Sequence, residues 1–118
     1  MPVLTANELL TLQFYARHTE VYLEWGSGAS TLLVAPLAQS AFSIENHQPW
    51  CQKMLHNLSS VGFWTLNSVL TYKCVDTGPT KEWGRPVEGV TLMQMKAYVD
   101  AIDSLGISFA DVVLIDGR

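Results

Sequence analysis

The run Glu24-Trp25-Gly26-Ser27-Gly28-Ala29-Ser30-Thr31 gathers a carboxylate, two glycines and three hydroxyls into one short stretch. Each type has a use if the run is a turn from a strand into a helix. Gly26 and Gly28 let the backbone bend and come close to a ligand. The amides of Ala29, Ser30 and Thr31, opening a helix, would face that ligand with partial positive charge. Glu24, at the strand tip, would repel a pyrophosphate and favour an amino group or a sulfonium. Open α/β sheets bind their ligands at such a turn, outside the carboxyl end of the first strand.

Glu45 belongs to the same set. It ends the next apolar stretch, Ala41-Phe42-Ser43-Ile44-Glu45-Asn46, about 20 residues on, where an acidic side chain can accept both hydroxyls of a ribose. The plain alternative is a solvated residue at a strand end. Two ligands compete for this pattern. A dinucleotide site has a third glycine three residues after the second, and Thr31 stands there. An NAD-dependent oxidoreductase is therefore the weaker reading. S-adenosylmethionine carries an ammonium, a sulfonium and a carboxylate, which suit Glu24 and the helix amides.

These residues need a scaffold, and the apolar pattern supplies one. Thr5-Ala6-Asn7-Glu8 has the form of a capping box, and Leu9, Leu10, Leu12, Phe14 and Ala16 predict a helix from about Ala6 to His18. Val21 to Glu24 reads as a buried strand. The helix after the glycine turn meets Pro36, where it should kink or restart. A second strand ends at Glu45, and Trp50, Met54, Leu55 and Leu58 then fall at helical spacing up to Gly62. Val69, Thr71, Lys73 and Val75 alternate in a third strand. A Gly- and Pro-rich loop follows. Leu92, Met95, Tyr98, Val99 and Ile102 mark one side of a helix at about 90–105, and Ala110 to Arg118 holds a fourth strand. Helix and strand in alternation imply a parallel sheet with helices on its faces, in a single domain over 1–118.

Bulk properties narrow the function classes. With 7 basic against 11 acidic residues and a net charge of −4, no basic stripe exists for nucleic acid. No run of about 18 apolar residues predicts a membrane span. The start Met1-Pro2-Val3-Leu4 lacks the basic-then-apolar order of a signal peptide. Cys51 and Cys74 lack metal spacing and read as two free thiols in a reducing cytoplasm. No metal site is expected.

Four segments, YLEWGSGAST, SIEN, VDTGPTKEWGRP and FADVVLIDGR, in this order over residues 20–118, resemble the class I, Rossmann-like S-adenosylmethionine-dependent methyltransferases. They look most like a bacterial branch whose fourth strand ends in Ile-Asp-Gly-Arg. The resemblance implies a sheet with strand order 3-2-1-4. It implies that Glu24, Gly26 and Gly28 form the methionine-side loop, with Ser27 and Ser30 offering hydroxyls or amides. Glu45 would hold the ribose and Asp76 would sit near the adenine amino group. Asp116 would lie beside the transferable methyl and an acceptor whose identity the residues do not specify.

The family's sheet has seven strands, whereas this sequence stops after the fourth, so the expected fold is incomplete by comparison. A non-catalytic, self-associating fragment with a vestigial cofactor site is the alternative from another function class. Val112 to Ile115 would form an apolar edge, and such edges invite pairing; a homodimer through the fourth strand is expected. Asp116 could instead be a base, a metal ligand or the cap of a following turn. His47 could act as a base, or simply be exposed. Trp83, in the loop, could close over the site or plug the loop.

Overall fold

Thr5 and Glu8 close the expected capping box around α1 (Ala6–Ala16): the Thr5 amide donates to the Glu8 carboxylate at 2.7 Å, and the Glu8 amide to the Thr5 hydroxyl at 3.2 Å. The computed structural model describes residues 4–60, 69–81 and 84–116. Gly62, Trp64 and Trp83 lie outside the described residues. α1 stops two residues short of the expected end, and only Ala16 of its apolar set is fully buried. Leu9 and Leu12 pack against the core, while Leu10 and Phe14 face solvent.

The strands are β1 (Val21–Trp25), β2 (Ser40–Glu45), β3 (Leu70–Cys74) and β4 (Val112–Ile115). They form one parallel sheet in the order β3-β2-β1-β4, the expected α/β architecture. After β3 the chain crosses back over β2 and β1 to reach β4, so the sheet has its switch point at β1. The remaining helices are α2 (Ala29–Leu33), α3 (Gln48–Ser60) and α4 (Leu92–Asp100).

Each face of the sheet has its own core. On one side Tyr22, Ala41 and Leu70 pack with Ala16, Val34, Ala35 and Leu58. On the other, Leu23, Ile44 and Val75 pack with Tyr98 and Ala101. Alternation of side chains along each strand divides the residues in this way. β3 follows the same rule: Leu70 is buried and Thr71 exposed, so the face opposite to Thr71 carries the core contact.

Three expectations change. The helix after the glycine turn has only five residues, and Pro36 sits in a separate 3-10 turn, Ala35–Leu37. A proline lacks the amide that would continue an α-helix, so the chain restarts rather than kinks. The helix expected at 90–105 is α4 followed by a 3-10 turn, Ala101–Ser104. Tyr98 and Ala101 are buried on it, whereas Leu92 and Val99 are exposed, because no described layer covers that side. Cys51 and Cys74 are not free thiols: they form a disulfide between α3 and the end of β3, with Cα atoms 6.0 Å apart. Such bonds persist in oxidising compartments, so the thiols no longer argue for a reducing one. No helix among the described residues is long and apolar enough to cross a membrane.

Candidate functional site

The glycine turn leaves β1 at the carboxyl end of the sheet, beside the tip of β2. Gly26 adopts φ 94°, a left-handed conformation that favours glycine, and its amide donates to the Ile44 carbonyl at 2.8 Å. Gly28 has an extended φ of 167°, so the bend is made at Gly26. The Gly28 amide donates to the Thr31 hydroxyl at 3.0 Å, and the Thr31 amide to the Gly28 carbonyl at 3.1 Å. Thr31 is thus bonded back to the turn, which takes up one of the three helix amides expected to face a ligand.

Glu24 is fully buried. Its Oε1 accepts from Tyr22 Oη and Ser30 Oγ, both at 2.9 Å. Its Oε2 accepts from Ser43 Oγ at 2.6 Å and from Thr31 Oγ1. Glu24 and Ser43 are direct partners in the β1–β2 register. Burial raises the Glu24 pKa, while the four hydroxyl donors oppose the rise. The Glu24 carboxylate and the Ser30 hydroxyl are thus engaged with each other and with their neighbours, and brace the turn from within the protein. Ser43 and Tyr22 were missed by sequence reasoning, although a serine facing a glutamate across two buried strands is the signal that could have found them.

Glu45, at the end of β2, is also buried. Its Oε1 accepts from the Ser27 amide at 2.9 Å and the Ser27 hydroxyl at 2.7 Å. Its Oε2 accepts from the amides of Asn46 and His47, each at 3.1 Å. Ser27 Oγ also lies 2.6 Å from Tyr72 Oη, and the Ser27 carbonyl accepts from Trp50 Nε1 at 3.0 Å. The glycine turn is thus fastened to β2, β3 and α3 through one serine. Tyr72 and Trp50 were not singled out from the sequence as parts of this site.

The other carboxylates stand around this centre. Asp76, just past β3, is exposed and accepts from the Gly78 amide at 2.9 Å. Asp116, just past β4, is half-buried, and its amide donates to the Trp25 carbonyl at 2.8 Å. His47 is half-buried, with Nδ1 2.7 Å from Thr80 Oγ1. Burial raises the pKa values of Tyr22, Tyr72 and Tyr98, and nearby carboxylates raise each of them further. Each of the four strands therefore carries an acidic residue near its carboxyl end, Glu24 and Glu45 within β1 and β2 and Asp76 and Asp116 just past β3 and β4, with protonated phenols nearby. That arrangement suits the hydroxyls and positive charges of a ligand.

No family model matches the chain. No curated protein matches it. Among solved structures, a methyltransferase-like protein from Silicibacter pomeroyi is similar over 100% of this chain, with 30% sequence identity and a TM-score of 0.76. The chain spans 61% of the length of that protein. The fold is methyltransferase-like.

Proposed function

We propose that this chain is the S-adenosylmethionine-binding part of a methyltransferase whose acceptor is unidentified. The observation that carries the reading is Glu45: its carboxylate stands at the tip of β2, aimed at the glycine turn that leaves β1. In an open α/β sheet this is where a ribose diol is held. The likeness to a methyltransferase-like protein supports the same reading.

The donor set fits a ribose. Ser27 Oγ occupies Glu45 Oε1, yet it already has Tyr72 Oη as a second partner. A ribose hydroxyl can take its place on Glu45 without leaving the serine unbonded. S-adenosylmethionine supplies a methyl group activated on a sulfonium. In this reading Gly26 and Gly28 bring the turn close to the methionine end. Asp76 lies by the adenine, Asp116 by the acceptor, and Glu24 and Ser30 keep the turn in shape from below. Holding donor and acceptor in line is the main contribution such a site makes to methyl transfer.

The test is calorimetric titration of S-adenosylmethionine into the protein and into Glu45→Ala, with NAD as the competing ligand. Saturable binding that Glu45→Ala abolishes, with NAD silent, is the expected result. Binding of NAD alone would favour the oxidoreductase reading, and binding of neither would sink both.

For the partner, the same proposal takes a second copy of this chain along β4. Val113 and Ile115 on this edge strand are exposed, as are Leu92 and Met93 of α4. A monomer by light scattering at micromolar concentration would refute the dimer.

A further inference from the structure

The buried hydroxyl of Tyr98 has no hydrogen-bond partner, although the residue is only 8% exposed. Native structures rarely leave such a group unpaired. The fold explains where it points. α4 follows the loop after β3 and returns to the start of β4, so it runs against the strands and begins at their carboxyl end. Helical side chains tilt toward their own N-terminus, which here means toward the strand tips. The Tyr98 carbonyl accepts from Trp25 Nε1 at 3.0 Å, fixing this turn of α4 beside the last residue of β1. The ring packs with Leu23, Ile44 and Val75. The hydroxyl lies within electrostatic reach of Glu45, Glu24 and Asp116, the acids of β2, β1 and β4.

We infer that Tyr98 is a further ligand-contacting residue, whose hydroxyl oxygen meets the positively charged amino-acid end of the bound nucleoside. The inference rests on the proposed cofactor-binding function. The field of these acids at the hydroxyl is negative and favours a positive charge beside its oxygen. An ammonium or sulfonium is the ligand chemistry that pairs such an oxygen. Burial and these acids also raise the Tyr98 pKa, so the phenol stays protonated and uncharged. Without ligand the group is sealed and unpaired. With ligand it gains its bond.

Tyr98→Phe removes only the oxygen. Two readouts test it: thermal unfolding of the ligand-free protein, and calorimetric affinity for S-adenosylmethionine and for adenosine, which lacks the amino-acid end. The ligand-free variant should unfold at the wild-type temperature or above it, since an unpaired polar atom has been removed from the interior. Its affinity for S-adenosylmethionine should fall about tenfold, the worth of one hydrogen bond to a charged group, and its affinity for adenosine should not change. A lower unfolding temperature would mean that the hydroxyl serves the fold, and would overturn the inference. Unchanged affinity for S-adenosylmethionine, with Glu45→Ala still abolishing it, would overturn the inference and leave the functional reading standing. No binding by the wild type would remove both.

Discussion

Ser27 donates twice to Glu45, from its amide at 2.9 Å and from its hydroxyl at 2.7 Å. The residue of the glycine turn that should make room for a ligand is thus held by the side chain that would receive the ribose. Ser27→Ala removes the hydroxyl bonds to Glu45 and Tyr72 and keeps the amide bond. The expected outcome is a loss of about 1–2 kcal/mol of stability in urea unfolding, the usual cost of deleting a buried hydroxyl. S-adenosylmethionine should bind Ser27→Ala several-fold more tightly, because Glu45 no longer has to exchange partners. Weaker binding, measured by calorimetry, would show that the serine hydroxyl itself contacts the ligand.

Glu24 makes the stability depend on pH in an unusual direction. Its folded pKa is raised from 4.5 by burial, so between 4.5 and that raised value the folded state holds a proton that the unfolded state has released. Stability contributed by this group then falls as pH rises through the window, and below 4.5 the penalty is absent. Glu24→Gln stays neutral and lacks this fall. Unfolding of both proteins should be compared across a pH series from 4 upward. The gap between them should shift in favour of the variant by at most about 1.4 kcal/mol per pH unit. A constant gap across the series would mean that the four hydroxyls cancel the effect of burial.

The parallel α/β architecture and the place of the glycine turn were legible because both follow from local signals: apolar runs of strand length, turn glycines, and alternation with helices; the strand order came from the family resemblance alone. The orientation of Glu24 was not legible, since it depends on Ser43 across the sheet and on Ser30 and Thr31 one helical turn away. An acid at a strand tip reads as ligand-facing until hydroxyls beneath it are known. The side of α4 that is buried was half legible. Leu92 and Val99, seven residues apart, share one side and are exposed, whereas Tyr98 lies over the sheet. The disulfide was hidden because a separation of 23 residues says nothing of distance; the register that places Cys74 beside Glu45 brings it within reach of α3.

Gly84 and Gly89 offer an internal comparison. Both have positive φ, 75° and 92°. A Cβ on Gly84 would overlap Asn46 Oδ1, whereas one on Gly89 would meet nothing within 4 Å. Asn46 Nδ2 also donates to the Gly84 carbonyl at 2.7 Å. Gly89→Ala should cost about 1 kcal/mol, the strain of a left-handed alanine alone. Gly84→Ala should cost at least about 2 kcal/mol, because the loop must also move off Asn46. Equal losses in denaturant unfolding would show that the loop carries no tight packing on the β2 tip.

The disulfide ties the helix after Glu45 to the strand beside it. Cys51 lies in the first turns of α3, and Cys74 is the register partner of Glu45. Closing a loop with a separation of 23 residues restricts the unfolded chain by about 3 kcal/mol. Dithiothreitol should therefore lower the stability of the wild type by about that amount. A Cys51→Ala, Cys74→Ala double variant should start near the reduced value and should not respond to reductant. Cys51 is fully buried, so the thiol count must be taken in denaturant on protein never exposed to a reducing agent. No reactive thiol is expected there. Two would return both cysteines to the free state that their spacing first suggested, and would mean that α3 and β3 are held together by packing and by the Gln48 Nε2 bond to the Val75 carbonyl at 3.0 Å.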